Sequence, residues 1–234
     1  MVDEVKKKPK LNRDWIDFDA LEIVKKLQKN GFLTYLVGGC VRDLLAGIPP
    51  KDFDIATNAL PRQVKTSIYN SFIIGRRFRL VLVKRGLKQF EVATFRREVK
   101  PDEFPEGVPP GDNIFGSPAE DAQRRDFTVN ALFYDPAKDE IVDYCDGLGD
   151  IKNRIIRVIG DPDTRMIEDP IRILRALRLA HKLSFTIEPT LRAAMLANAS
   201  ELTKSALPRR REEILKILRL DDPLMALQEC HDLG

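Results

Sequence analysis

Two acidic residues that stand two positions apart, Asp52 and Asp54, have the clearest chemical potential in this sequence. They lie in KDFDIAT, which predicts a strand, and residues two apart on a strand face the same way. Both carboxylates can then share a hard cation such as Mg²⁺. Glu91, on another predicted strand, is a candidate third carboxylate. The alternatives are a structural role for the acidic pair and a surface role for Glu91.

A glycine pair, Gly38 and Gly39, precedes the acidic pair and follows the apolar run YLV. Glycine lets the backbone approach a ligand closely, and a predicted helix over 40–46 directs its free N–H groups at the same place. A glycine pair alone is also a common strand-to-helix turn. Together with two carboxylates it predicts a metal site beside a triphosphate site, which suits phosphoryl or nucleotidyl transfer.

A second constellation lies in EDPIRILRALRLA at 168–180. Asp169 can accept a hydrogen bond from the exocyclic amine of cytosine or adenine, and an arginine can donate to the neighbouring ring acceptor. At helical spacing Arg172, Arg175 and Arg178 spread over one side, while apolar residues occupy the other. The alternative is an amphipathic helix with Asp169 as its N-cap and solvated arginines.

A third constellation is RRDFTVNA at 124–131. Its paired arginines can bind phosphate through the fork geometry of the guanidinium group. Asn130 can anchor a loop or a sugar. The alternative is a charged helix end followed by an Asx turn.

The elements that must position these motifs follow from periodicity and from turn residues. Helices are predicted over 15–30, 62–67 and 117–125, strands over 78–84, 89–95 and 155–159, and a long loop over 100–118. A turn at 85–88 predicts an antiparallel hairpin. From about residue 161 the pattern is helical, with segments at 170–183, 189–198, 208–220 and 223–233 that each begin with a proline.

Composition places few limits on the partner but several on the protein class. The 234 residues are 43% apolar, and 39 basic residues nearly balance 36 acidic ones for a net charge of +3. No apolar run is long enough for a membrane helix, and the N-terminus lacks the apolar core of a secretory signal. Three scattered cysteines and two isolated histidines predict free thiols and no histidine-based metal site. We therefore expect a cytoplasmic protein without membrane contact.

The motifs GGxVRDLLxG, KDFDIAT, EVATFR, EDAQRRDFTVNALFY and EDPIRILRALRLA occur in this order and spacing. Over about 30–234 they resemble the class II tRNA nucleotidyltransferases and bacterial poly(A) polymerases of the polymerase β superfamily. The stretch 111–127 is more similar to the poly(A) polymerase branch. The resemblance implies an α+β fold, with a polymerase β-like head at 15–160 that has a small mixed sheet and flanking helices, and an all-helical neck at 161–234. The residues before the head, 1–14, are expected to form a basic disordered tail.

The resemblance also implies a role for each matching residue. Asp52 and Asp54 would be the catalytic Mg²⁺ ligands, with Glu91 as third carboxylate. Asp169 and Arg172 would pair with the base as a protein template. The full set of implied nucleotide contacts is Gly38, Gly39, Arg42, Arg125, Asp126, Asn130, Asp169, Arg172, Arg175 and Arg178.

Enzymes of this family attach a nucleotide to an RNA 3′ hydroxyl and release pyrophosphate without a nucleic-acid template. The sequence thus predicts addition of ATP, or of CTP and ATP, to RNA 3′ ends. Residues 207–234 resemble the last neck helices, and the family's RNA-gripping body and tail do not follow, so we expect a weak hold on RNA. The alternatives are a Mg²⁺-dependent, nucleotide-binding phosphohydrolase and a non-catalytic RNA-binding module.

Overall fold

The computed structural model describes residues 4–75, 80–98 and 114–233. The chain divides into two compact units. The first unit comprises 1–125 and 130–145, and the second unit comprises 126–129 and 146–234. Two parts of the prediction lie outside the described residues. They are the start of one strand, at 78–79, and most of the long loop, at 100–113.

The first unit is built on one mixed sheet. Its strands are β1 (Val5–Lys7), β2 (Thr34–Val37), β3 (Asp54–Thr57), β4 (Ser71–Ile74), β5 (Leu80–Arg85), β6 (Lys88–Thr94), β7 (Leu132–Asp135) and β8 (Glu140–Asp143). Their order is β1-β8-β7-β2-β3-β6-β5-β4. The pair β3 and β6 is parallel, and the other neighbours are antiparallel. The predicted hairpin is confirmed, because β5 and β6 pair up to Arg85 and Lys88 around a two-residue turn.

In the described part of this unit the helices are α1 (Phe18–Lys29), α2 (Gly39–Leu45), α3 (Pro61–Ser67) and α4 (Pro118–Gln123). Helix α1 begins where the Asp17 carboxylate accepts two backbone N–H groups, and α4 begins with a capping box between Ser117 and Glu120. Aromatic rings of Tyr35, Phe95 and Phe133 pack edge-on or tilted in the core.

The N-terminal segment differs from the predicted disordered tail. Val5–Lys7 forms the edge strand β1 and pairs antiparallel with β8, with Lys6 opposite Val142. This stretch has only three residues, two of them lysines, so the sequence did not predict a strand there. Backbone hydrogen bonds to β8 hold this segment in a strand conformation that its side chains do not predict.

The second unit is mainly helical. Its helices are α5 (Gly147–Asn153), α6 (Pro162–Glu168), α7 (Ile171–Leu183), α8 (Pro189–Ala197), α9 (Leu207–Ile217) and α10 (Pro223–Asp232). A short parallel pair, β9 (Ile155–Ile156) and β10 (Thr186–Ile187), lies among them. The region after 161 is therefore not entirely helical.

The division between the units also falls earlier than the predicted boundary at 160/161. Helix α5 packs on β9, and both β9 and β10 pack on α7, so 146–160 joins the helical unit. Helix α7 is central, because its apolar side meets α9 and α10 at Ile171, Leu174, Ile217 and Ala226. Within the described residues, no helix is long and apolar enough to cross a membrane.

Candidate active site

The two strands that carry the predicted carboxylates lie side by side in the first unit. Asp54 begins β3 and stands directly opposite Glu91 of β6 in the parallel register. Asp52 precedes the strand, yet exposure still alternates from Asp52 through buried Phe53 to Asp54. The three carboxylates are exposed, and the alternation points those of Asp52 and Asp54 to one side.

The electrostatics of this group favour a cation. The pKa of Asp54 is raised, first by partial loss of solvent around its carboxylate and then by the negative charge of Glu91. Asp52 raises it further, whereas Arg125 lowers it. A divalent cation would relieve this repulsion. Over the described ranges no three acidic, histidine or cysteine side chains converge closely enough to hold a metal ion by themselves.

The carboxylates of Asp52 and Asp54 fit a cation whose remaining ligands come from the substrate and from water. Mg²⁺ is commonly held by one or two carboxylates together with substrate phosphates and water. Asp52 and Asp54 can supply two carboxylates. Glu91 then acts on Asp54 through its charge, and its predicted role as a third ligand stays a prediction.

The glycine turn lies beside these carboxylates and is shaped by two arginines. Gly38 has φ +72°, and a Cβ there would lie 3.1 Å from Nη1 of Arg125. Its N–H donates to the Leu132 carbonyl at 3.1 Å, which ties the turn to β7. A Cβ at Gly39 would meet Arg42 at 3.5 Å. The positive φ favours glycine at 38, and a side chain there would also press on the Arg125 guanidinium group.

The predicted phosphate ligands Arg42, Arg125 and Asn130 form one network in the first unit. Buried Arg42 donates to Asn130 Oδ1 and to Asp43 Oδ1, the latter at 2.7 and 2.9 Å. Arg125 donates to the Asn130 carbonyl at 3.3 Å and lies over the Phe133 ring, 5.3 Å from its centroid. Asn130 therefore joins the two arginines.

Asp121 organises the arginines and was not among the predicted site residues. Its buried carboxylate accepts from the Arg96 N–H at 3.1 Å, from Arg124 Nε at 2.9 Å and from Arg125 Nη2 at 2.9 Å. Burial alone would raise its pKa, but the positive charges of Arg125 and Arg124 outweigh burial and lower it. The spacing of Asp121 to these arginines, three and four residues on a helix, was a signal available in the sequence.

The residues predicted to read the base lie in the second unit. Asp169 precedes α7, but its side chain does not cap that helix. Both carboxylate oxygens instead accept from Arg209 of α9, at 2.9 and 2.8 Å. Arg172 donates to the Arg165 carbonyl at 2.6 Å and to Glu168 at 3.3 Å. Asp169 and Arg172 thus lie together at the start of α7, and the side-chain N-cap alternative does not hold.

Three further predicted residues are held by ion pairs within the second unit. Arg175 donates through Nε to Asp126 Oδ2 at 2.8 Å, and Arg178 donates to buried Glu213 at 2.7 Å. Glu213 also lies 3.6 Å from Arg175. These pairs show how the arginines are positioned, and their nucleotide contacts stay predictions. Arg209 and Glu213 lie on another helix, 30 or more residues away, so no local spacing identified them.

Comparisons with known proteins identify the family of this chain. The model of the family described as "Poly A polymerase head domain" matches residues 34–157, and that described as "Probable RNA and SrmB- binding site of polymerase A" matches 184–234. Poly(A) polymerase I of Salmonella typhi is 43% identical over 230 residues, which are 95% of this chain and 50% of that protein. The CCA-adding enzyme of Lactobacillus delbrueckii subsp. bulgaricus is 40% identical over 90% of this chain and 52% of its own length.

A solved structure shows the same fold. The crystal structure of the Bacillus stearothermophilus CCA-adding enzyme in complex with CTP superposes with a TM-score of 0.79 at 35% identity, covering 89% of this chain and 50% of that one. This chain therefore spans about half the length of the relatives that it matches. The resemblance seen in the sequence is confirmed, and the chain belongs to the poly(A) polymerase head domain family.

Proposed function

We propose that this chain catalyses template-independent addition of a nucleotide to an RNA 3′ hydroxyl with release of pyrophosphate. The observation that carries the proposal is the register of Asp54 opposite Glu91 on an exposed sheet face, with Arg125 close enough to affect the Asp54 pKa. Carboxylates beside an arginine-lined glycine turn suit a metal-bound triphosphate. The poly(A) polymerase and CCA-adding relatives support the same reaction class.

Within this proposal each residue has a defined part. Asp52 and Asp54 would hold Mg²⁺, which when bound activates the attacking oxygen and neutralises charge on the phosphates. Gly38 leaves room for the Arg125 guanidinium, which Asp121 and Phe133 fix in place. Arg42 keeps Asn130 in position. A fixed guanidinium needs no reorganisation when charge develops on the transferring phosphoryl group.

The nucleotide we propose is ATP, with CTP as a second substrate to be tested. Asp169 and Arg172 would read the base by accepting from its exocyclic amine and donating to its ring nitrogen. The poly(A) polymerase I relative, at 43% identity, supports ATP, and the CCA-adding relative, at 40% identity, makes CTP the second candidate. The RNA 3′ end is the proposed acceptor, and the cytoplasm the proposed place of action, because the cysteines are free thiols.

Extension of short RNAs and of tRNA by each nucleoside triphosphate, with Mg²⁺, tests the proposal. We expect the unmodified protein to add nucleotides and Asp54→Asn to be slower by on the order of 1,000-fold, since a metal ligand is lost. Glu22→Gln, an exposed carboxylate change on α1, is the matched control and should keep full activity. Triphosphate hydrolysis without RNA extension, lost in Asp54→Asn, would instead show a phosphohydrolase.

A further inference from the structure

The exposed face that carries the proposed metal ligands continues across three more strands. Asp54 of β3 lies opposite Glu91 of β6, Glu91 lies opposite Leu82 of β5, and Leu82 lies opposite Phe72 of β4. Directly opposed residues on neighbouring strands point to the same side of a sheet. One straight row therefore runs from a carboxylate pair to an aromatic ring.

The far end of this row is apolar and exposed. Phe72 is 48% exposed and its neighbour Ile74 is 40% exposed. Ile74 lies opposite Leu80, which widens the apolar surface beside the Leu82 and Phe72 pair. Strand β4 is the last strand of the sheet. Apolar side chains on such an outer strand invite association, so an exposed group of them indicates an interaction site.

The charge around Phe72 favours an anionic occupant. The ammonium group of Lys84 lies over the Phe72 ring, 5.5 Å from its centroid. Arg85 follows at the end of β5, and neither β4 nor β5 contains an acidic residue. An aromatic ring that stacks with a base, beside a cation that meets the phosphate, is the arrangement used to bind single-stranded nucleic acid.

The distance to the metal ligands fits the same occupant. Neighbouring strands lie about 4.8 Å apart, so three steps place Phe72 about 14 Å from Asp54. Stacked bases rise by about 3.4 Å each and unstacked ones by more, so a base at Phe72 would lie roughly two to four nucleotides from the reacting 3′ end.

We propose that the β4–β5 face binds the single-stranded 3′ segment of the acceptor RNA, with one upstream base stacked on Phe72 and its phosphate near Lys84. This rests on the proposed function, which places the 3′ hydroxyl at Asp52 and Asp54. The face gives the chain a hold on RNA within its own catalytic unit. Stacking is tolerant of sequence, because every base presents an aromatic face.

Short single-stranded RNAs that carry 2-aminopurine at one position, from the 3′ end inward, test the proposal by fluorescence. We expect quenching by the unmodified protein to be strongest roughly two to four nucleotides from the 3′ end. Phe72→Ala should abolish that maximum and weaken RNA binding by on the order of tenfold, whereas Phe72→Trp should keep both. The KM for the nucleotide should stay unchanged. Phe18→Ala removes a 71% exposed ring on α1 and is the matched control.

The salt dependence of RNA binding tests the cation separately. Lys84→Gln should reduce the slope of log affinity against log salt by about 0.7, the value for one phosphate contact on a single strand. Lys25→Gln, an exposed lysine on α1, should leave the slope unchanged. Slopes that agree for unmodified protein and Lys84→Gln would overturn the assignment of Lys84 to the RNA.

The outcomes separate this inference from the proposed function. If the unmodified protein extends RNA but its quenching is the same as that of Phe72→Ala, the inference is overturned and the proposed function stands. Quenching that depends on Phe72 in a protein that extends no RNA would uphold the face and overturn the function. A dimer that dissociates on Phe72→Ala, seen by sedimentation, would show that a second copy covers the face and would overturn the inference.

Discussion

Both carboxylate oxygens of Asp169 are bound by the guanidinium group of Arg209, at 2.9 and 2.8 Å. Such a bidentate pair fixes the relative orientation of the two groups. It also uses two of roughly four lone-pair sites on the carboxylate. If Asp169 reads a base, it does so with its orientation set from α9 and with only part of its accepting capacity left.

Replacement of Arg209 by alanine should therefore loosen the choice of base. We expect the ratio of kcat/KM for ATP to that for CTP to move towards one by about tenfold, because Asp169 is free to reorient. Arg211→Ala, an exposed arginine on the same helix, should leave the ratio unchanged. Single-nucleotide addition to one RNA with each triphosphate gives the ratio. An unchanged ratio in Arg209→Ala would mean that the pair is structural only.

A pair of glycine substitutions separates backbone strain from loss of the arginine-lined turn. Gly38 and Gly47 both have a positive φ, of +72° and +75°. A Cβ at Gly38 would press on Arg125, whereas a Cβ at Gly47 would meet nothing within 4 Å. Because each glycine has a positive φ, both alanine variants should lose about 1–3 kcal/mol of stability. Only Gly38→Ala should also raise the KM for the nucleotide, by about tenfold or more, in steady-state extension assays.

Asp121 should be important for stability as well as for the position of Arg125. Asp121→Asn leaves two arginines near a neutral group in a buried position, and we expect a loss of about 3 kcal/mol in the free energy of unfolding. Nucleotide KM should rise, because Arg125 loses its ion pair with Asp121, which is one of the contacts that fix its position. Denaturant unfolding and extension kinetics measure the two effects. A variant as stable as the unmodified protein would contradict the buried ion pairs as we describe them.

The same carboxylate predicts how stability depends on pH. The pKa of Asp121 is lowered in the folded protein from an ordinary value of 3.8. Its contribution is therefore fully present above the unfolded pKa and is lost as the pH falls through the folded pKa. Unfolding free energies of the unmodified protein should drop below about pH 4 more steeply than those of Asp121→Asn. Parallel curves would assign the acid sensitivity to other carboxylates.

The role of Glu91 can be tested by comparing its substitution with that of Asp54. In protein without metal, Glu91→Gln should lower the pKa of Asp54, since the negative charge of Glu91 is one cause of its elevation. NMR titration of the Asp54 carboxyl carbon measures this. Activity should fall less in Glu91→Gln than in Asp54→Asn, because the described residues provide no three-ligand group. An equal loss would make Glu91 a metal ligand.

The sequence predicted the elements whose signals are local. The β5–β6 hairpin has a two-residue turn at Gly86, and α7 has a long apolar stripe, so both were expected from periodicity. Strands β4 and β8, of four residues each, and β1, of three, were not predicted from the sequence. Tertiary pairing, which the sequence does not display, brings these strands into the sheet.

In the candidate site, too, local features could be predicted from the sequence and long-range contacts could not. Period two predicted that Asp52 and Asp54 share a side, and exposure alternates accordingly. The register of Asp54 with Glu91 and the pair between Asp169 and Arg209 join residues distant in sequence. Spacing cannot reveal such contacts, because they depend on which strands and helices become neighbours. Asp169 and Arg172, which we propose read the base, were predicted as a local motif, but their partners were not.

The order of the chain has a consequence for how this protein can be divided. Residues 126–129 belong to the second unit although they interrupt the first in sequence. They supply Phe127, which is fully buried, and Asp126, which binds Arg175. A gene fragment that starts at 146 would lack both side chains, and one that ends at 145 would carry them without their partners. The two compact units are thus interleaved along the chain, and neither can be exchanged between proteins by a single cut.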